Sequence, residues 1–193
     1  TQSSGVSTLA TVSEVYQFLR LLYAKAGTQL CPKDGELIGA GDTKSIVDLL
    51  IKNYSDQTIY IFAPAISGRK GFHNEIFQRA YKAEITKAKI DGKIVSVDPN
   101  LRLERHKLHW ISLLVGAIKI NEKKRDLLKE AVDQALILGS GSIEISVGKI
   151  DAKTETLSSN RCCPKCQQGY VPLDPQDFSF RSDRGVCKTC RGK

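Results

Sequence analysis

Methionine is absent from all 193 positions, tryptophan occurs once, and aromatic residues make up only 7% of the chain. No stretch approaches the ~20 consecutive apolar residues that a membrane-spanning helix requires, which excludes a helical membrane protein, and no membrane partner is expected. No basic segment followed by an apolar one opens the chain at Thr1, so nothing read there directs secretion, and a cytoplasmic protein is expected. A start at Thr1 without an initiator points to a piece of something longer. Cysteine is nearly absent before residue 162, with Cys31 the exception, and five of the six crowd into the last 32 positions. A disulfide framework spreads its cysteines through a small secreted domain, so this clustering reads as metal binding in a reducing compartment.

The catalytic signatures are missing as well. There is no Walker-type glycine loop for phosphates and no Ser or Cys nucleophile paired with a His. His73, His106 and His109 are too scattered for a metal triad. No catalytic site is expected in this chain. His109, beside Trp110, reads as a structural surface residue at the start of a strand.

What is present is charge of one sign. Lys and Arg number 29 against 21 Asp and Glu, a formal +8. Seven basic residues face three acidic ones between Arg69 and Lys93, and seven face two between Arg102 and Arg125. Such clusters attract acidic or polyanionic partners through salt-sensitive forces. Lys87 and Lys89 alternate with Ala88 and Ile90, which puts both lysines on one face of a strand as a basic ledge.

Hydrophobic periodicity divides the chain into three parts. Residues 1–57 read as helical, with one helix over Thr11–Gly27 started by a Thr11/Glu14 capping box and stopped by Gly27. A second helix carries Ile46, Val47, Leu50 and Ile51 on one face and takes Asp42 or Thr43 as its cap. Over 58–150 the expected order is β-α-β-β-β-α-β. It begins with a short buried strand Ile59–Ala63 ended by Pro64, followed by a helix bearing Phe72, Ile76, Phe77, Ala80 and Tyr81. A hairpin turns at Asp91-Gly92, and a long strand runs over Trp110–Ile120. An Asn121-capped helix ended by Gly139 then leads to a half-exposed strand around Ile143, Ile145 and Val147. The fold class is α+β, a small mixed sheet with two helices on one face. Residues 149–160 read as a polar linker, and 158–193 as a separate zinc module.

In that module Cys163-x-x-Cys166 and Cys187-x-x-Cys190 are separated by 20 residues, the spacing of a four-cysteine zinc site. Each two-residue gap lets a tight turn aim two thiolates at one tetrahedral ion. With four protein ligands the ion, one zinc per chain, is structural. A redox dithiol at Cys163 and Cys166 is the minor alternative. Cys162 and Cys31 are read as spectators: Cys31-Pro-Lys-Asp34 has the look of half a knuckle, but no second half is evident. Chelation is expected to unfold 158–193 and leave the α/β part folded.

Several stretches together resemble the UvrA family, the ATP-driven damage sensors of bacterial nucleotide excision repair. They are Ser7–Glu14 with Leu19–Gly27, Arg69-Lys70-Gly71-x-His73, Ile90-Asp91-Gly92, Cys163-Pro164-x-Cys166, Leu173-x-Pro175-x-x-Phe178-Ser179-Phe180 and Gly185-x-Cys187-x-x-Cys190. The resemblance implies that residues 1–57 belong to the signature-domain region, 58–150 to an inserted domain that docks onto UvrB, and 158–193 to the first zinc module. It further implies that the parent is an ABC-type ATPase whose nucleotide-binding elements lie outside this slice, so that ATP and DNA concern the full-length parent. The implied partner contacts are Arg69, Lys70, Lys87 and Lys89. Three departures stand out. Ser4-Gly5-Val6 replaces the usual Asn-Pro-Arg, and Lys87-x-Lys89 replaces Arg-x-Arg, keeping charge but losing the bidentate fork. Gly116-Ala117 replaces Asp-Arg and removes an ion-pairing contact to UvrB. A stand-alone zinc-ribbon protein that binds nucleic acid is the rival reading.

Overall fold

A computed structural model describes residues 9–163, 165, 166, 168–179, 182, 184 and 189. The chain divides into two compact units, Cys31–Val171 and a smaller one made of Thr1–Leu30 with Pro172–Lys193.

In the smaller unit the single expected helix is two. Helix α1 spans Leu9–Val12 and α2 spans Val15–Ala26, with Glu14 between them in the left-handed region at φ 62° and making no side-chain cap. Thr11 thus falls inside α1, and Glu14 stands just before α2 and not in its first turn. Gly27 does stop α2, its N–H donating to the Tyr23 carbonyl, and a Cβ at Gly27 would lie 2.4 Å from that oxygen. Tyr23 and Tyr16 both reach Phe178 in a 3₁₀ turn, Pro175–Phe178, the first through its ring and the second through a hydroxyl hydrogen bond to the carbonyl. Arg184 pairs with Asp174 and Asp177 of the same turn.

The larger unit begins with α3, Thr43–Tyr54. Asp42 caps it, accepting from Ser45 N–H at 2.5 Å, and Ile46, Val47, Leu50 and Ile51 are buried as their spacing requires. Next come β1 (Thr58–Lys70), α4 (Asn74–Lys82), β2 (Lys87–Ile90), β3 (Lys93–Ser96), β4 (Leu108–Lys119), α5 (Arg125–Leu138), β5 (Ser142–Val147) and β6 (Glu155–Ser158). A short 3₁₀ turn, Glu122–Lys124, precedes α5, and Asn121 makes no side-chain cap to it.

The six strands lie in the order β3-β2-β4-β1-β5-β6, and every pairing is antiparallel where a mixed sheet was expected. Strand β1 runs seven residues beyond the expected stop at Ala63. Pro64 lies past the end of the β5 ladder, which stops at Phe62, and beside an irregularity in the β4 pairing, so its missing N–H interrupts little. The expected linker contains β6, whose Leu157 pairs with Ile143 and is buried. Asp91 and Gly92, at φ 49° and 86°, make the two-residue turn of the β2–β3 hairpin.

One core joins the sheet to three helices rather than two. Ile59, Ile61, Ala88, Ile111, Ile143 and Ile145 meet Leu50 of α3, Phe77 and Ala80 of α4, and Leu128, Val132 and Ala135 of α5. Gly116 faces this side, since a Cβ there would sit 3.7 Å from the Ala131 methyl. The alternate residues of each strand make up the opposite face of the sheet. Among the described residues no helix is long and apolar enough to cross a membrane.

Candidate metal centre and docking face

Among the described residues, two loops of the larger unit build a cluster of four ligating side chains. The first is a tight turn in which Gly35 N–H donates to the Cys31 carbonyl at 2.8 Å and Cys31 N–H donates to Glu36 at 2.8 Å. Gly35 takes φ 74°, a conformation that glycine adopts without strain. Asp34 lies inside this turn, its Oδ1 accepting from Glu36 N–H at 3.2 Å. The second loop holds Cys163 and Cys166, with Cys163 N–H donating to the Gln168 carbonyl at 3.0 Å and Cys166 N–H reaching Cys163 Sγ at 3.5 Å. A reciprocal backbone pair, Gly39 N–H to Cys162 O at 3.0 Å and Cys162 N–H to Gly39 O at 2.8 Å, joins the two loops. The second loop is also tied to the sheet by Gly169 N–H donating to the Thr156 carbonyl of β6 at 3.0 Å.

The result brings Cys31, Asp34, Cys163 and Cys166 together, one ligand atom from each lying within 4.8 Å of all the others. Cys31 Sγ is 3.6 Å from Cys166 Sγ, and Cys163 Sγ is 3.4 Å from Asp34 Oδ1. A tetrahedral ion with metal–sulfur bonds of ~2.3 Å and metal–oxygen bonds of ~2.0 Å sets its ligands ~3.5 to 3.8 Å apart. Two of the six separations, 3.6 and 3.4 Å, match those edges and all stay within 4.8 Å, so the cluster could hold a metal ion. Cys31 and Cys163 are buried, whereas Cys166 reaches the surface.

The electrostatics agree with a ligand set. Burial raises the Cys31 thiol, but the hydrogen bond from Tyr170 Oη at 3.2 Å and backbone contacts at Lys33 and Asp34 outweigh it and bring Cys31 below the ordinary thiol range. Asp34 is held below the usual carboxylate range by its contact with Cys31 first, against a smaller opposing effect of burial. Cys166 moves the other way: a backbone contact at Gln168 lowers it, but burial and the neighbouring Cys163 and Cys31 push it up to about 11. The neighbouring sulfurs thus oppose ionisation of Cys166, an effect that a divalent ion removes. Cys162, raised by burial and by Cys163, is not among the four.

The Cys31-Pro-Lys-Asp34 knuckle, for which the sequence shows no second half, lies against Cys163-x-x-Cys166, with Asp34 and Cys163 129 residues apart. The signal was its two-residue gap, equal to that of the later pair; what the sequence does not carry is the approach of the two loops. Cys187 and Cys190 lie outside the described residues.

The basic residues fall differently. Lys87 is exposed and Lys89 half-buried on β2, while Ala88 and Ile90 are buried between them, so both lysines lie on the face opposite the helices. Lys89 pairs with Ser112, and Ser112 Oγ donates to Glu144 Oε2 at 3.0 Å across that face. Lys70 pairs with Leu108, which shares the open face, whereas Arg69 pairs with His109, one step along and on the other face. Ala117, opposite Tyr60, is exposed on the open face.

His109 is buried rather than a surface residue. Nδ1 donates to Asp91 Oδ2 at 2.8 Å, Nε2 lies 2.9 Å from the Glu104 carbonyl, and the ring meets His73 edge-on. The two members are 18 residues apart, and no spacing rule links them.

Comparison with known proteins places these features in a family. Residues 42–149 match the family described as UvrA interaction domain. Over the whole chain, similar proteins are UvrABC system protein A of Oceanobacillus iheyensis, 33% identical over 192 residues, and that of Bacillus subtilis, 33% identical over 186. The same protein of Clostridium acetobutylicum is 36% identical over 188 residues. These alignments cover 96–100% of the chain and 19–20% of each relative, so the chain spans about a fifth of the length of the curated relatives it matches.

Proposed function

The chain belongs to the UvrA family, and on that premise we propose that it is the portion of such a protein that docks onto UvrB during recognition of damaged DNA. The observation that carries this is the coincidence of the family match, residues 42–149, with α3 and the first five strands of the larger unit. That segment presents Lys70, Lys87 and Lys89 on the sheet face opposite α3, α4 and α5, and among the described residues no carboxylate forms an ion pair with any of the three. Arg69 contributes from the end of β1. Charges at an interface rim act mainly on association rate and fade with salt.

The chain itself carries no catalytic site in this reading; ATP turnover and DNA contact belong to the complete protein, in the cytoplasm. The zinc-ribbon alternative accounts for the cysteines but not for an alignment that covers the entire chain.

Binding to UvrB from the same organism at two ionic strengths tests the docking. Lys87→Glu/Lys89→Glu should weaken it, chiefly through association. Ala117→Arg should strengthen it by roughly tenfold, the size of one charge-assisted hydrogen bond. Equal binding by the wild type and both variants would place the interface elsewhere.

The metal in this reading is one structural zinc per chain, held by Cys31, Asp34, Cys163 and Cys166. The sulfur-rich donor set suits zinc, and four protein ligands leave no open position. Cys163, Cys166, Cys187 and Cys190 are the competing set. Metal content separates the two: Cys31→Ser/Asp34→Ala should lose the ion under the first, and Cys187→Ser/Cys190→Ser under the second.

A further inference from the structure

Trp110 is the only tryptophan in the chain, and it stands on β4 with 46% of its surface exposed. A large aromatic ordinarily contributes most when buried. Here its strand neighbours His109 and Ile111 turn inward, and the indole shares the open face with Ser112.

The backbone at this position is held by hydrogen bonds. Trp110 N–H donates to Asp91 Oδ1 at 2.9 Å, and Asp91 N–H donates back to the Trp110 carbonyl at 2.9 Å. The other Asp91 oxygen accepts from the buried His109. The indole therefore projects from backbone held on both of its polar groups, and no backbone ordering remains to be done on contact. Along the same face, two residues away in one direction, Leu108 pairs with Lys70; two residues away in the other, Ser112 pairs with Lys89. At ~3.4 Å per residue each step is ~7 Å, so an exposed aromatic lies between two cations.

Resting on the docking reading above, we infer that Trp110 is the apolar anchor of this face and enters an apolar notch on the protein partner whose rim carries carboxylates for Lys70 and Lys89. A phosphate backbone fits less well, because Glu144 lies on the same face, bonded to Ser112, and repels phosphates. Tryptophan is among the residues enriched at the hot spots that carry most of an interface's energy, whereas the surrounding charges set how fast it forms.

The test uses the 193-residue chain carrying 5-fluorotryptophan, whose single site gives one fluorine resonance. UvrB should move that resonance. Trp110→Thr, which keeps a strand-forming residue, should raise the dissociation rate at least about tenfold and leave the association rate and its salt dependence within about twofold. Lys87→Glu/Lys89→Glu should do the converse, and circular dichroism should show both variants folded. If UvrB binds the wild type while the resonance stays in place and Trp110→Thr dissociates at the wild-type rate, the anchor assignment fails and the docking reading survives. A resonance shifted by single-stranded DNA and not by UvrB overturns the assignment in favour of a stacking platform. No binding of UvrB at micromolar concentration overturns the docking reading, and the anchor with it.

Discussion

Asp91 joins three constraints in one side chain. It takes the left-handed turn position that an Asp-Gly hairpin needs, one oxygen accepts from Trp110, and the other accepts from His109. Burial raises its pKa, but the Trp110 N–H and then His109 and Lys107 outweigh burial and hold the carboxyl below the usual range. A carboxyl whose pKa is lower in the folded state contributes stability above its unfolded value of ~3.9 and loses it as the pH falls through the folded value. Asp91→Asn keeps one acceptor and removes the charge facing His109. In urea unfolding at pH 7 it should cost about 1.5 to 3 kcal/mol, the range for a hydrogen bond to a charged group. The gap from the wild type should narrow as the pH falls below about 4. A constant gap between pH 3 and 7 would show that the carboxylate is not what stabilises the hairpin. The basic residues of the ledge follow the same logic at lower stakes: alternation alone put Lys87 and Lys89 on one face, whereas separating Lys70 from Arg69 required the strand pairing.

Elements were legible where local chemistry decides them. Asp42, followed three residues later by Ser45 and then by the Ile46–Ile51 stripe, specifies α3 without help from the rest of the chain. Asp42→Ala should cost about 1 kcal/mol, as N-cap truncations do, measured by thermal or urea unfolding of the larger unit. An unchanged midpoint would show that packing alone holds the helix. The Thr11/Glu14 pattern misplaces the helix start because the left-handed turn at Glu14 takes that residue out of helical geometry, so the pattern is present but the backbone it presupposes is not. Pro64 reads as a strand end because its cost is judged locally, yet its position beyond the β5 ladder is a tertiary fact. Strand β6 has four residues and a single buried apolar side chain, Leu157, too little for alternation to register. The expected order of strands and helices over 58–148 is observed, while the third helix on the core and the sixth strand depend on contacts made by segments read as flanking.

At the scale of the molecule, the four candidate ligands all belong to the unit Cys31–Val171. Sequence reasoning set the metal apart from the α/β fold because the cysteines follow a polar stretch. The backbone instead connects the ligand loops to the sheet through β6, by Gly169 to Thr156, and to each other through Gly39 and Cys162. Removal of the ion should therefore act on the sheet, not only on residues 158–193. An ion that binds only the folded state stabilises by RT ln(1 + [L]/Kd), about 4 kcal/mol at a thousandfold excess over Kd. A chelator should lower the unfolding temperature of the larger unit by several degrees at least. It should also speed amide exchange first in β6, at Leu157 and Ser158, and in the Cys31–Gly41 loop, before the central strands β1 and β4. Cys31→Ser/Asp34→Ala should reproduce the effect without a chelator. Should the Cys31–Gly41 loop stay protected on chelation, the ion is held by Cys163, Cys166, Cys187 and Cys190 and that loop is independent of it.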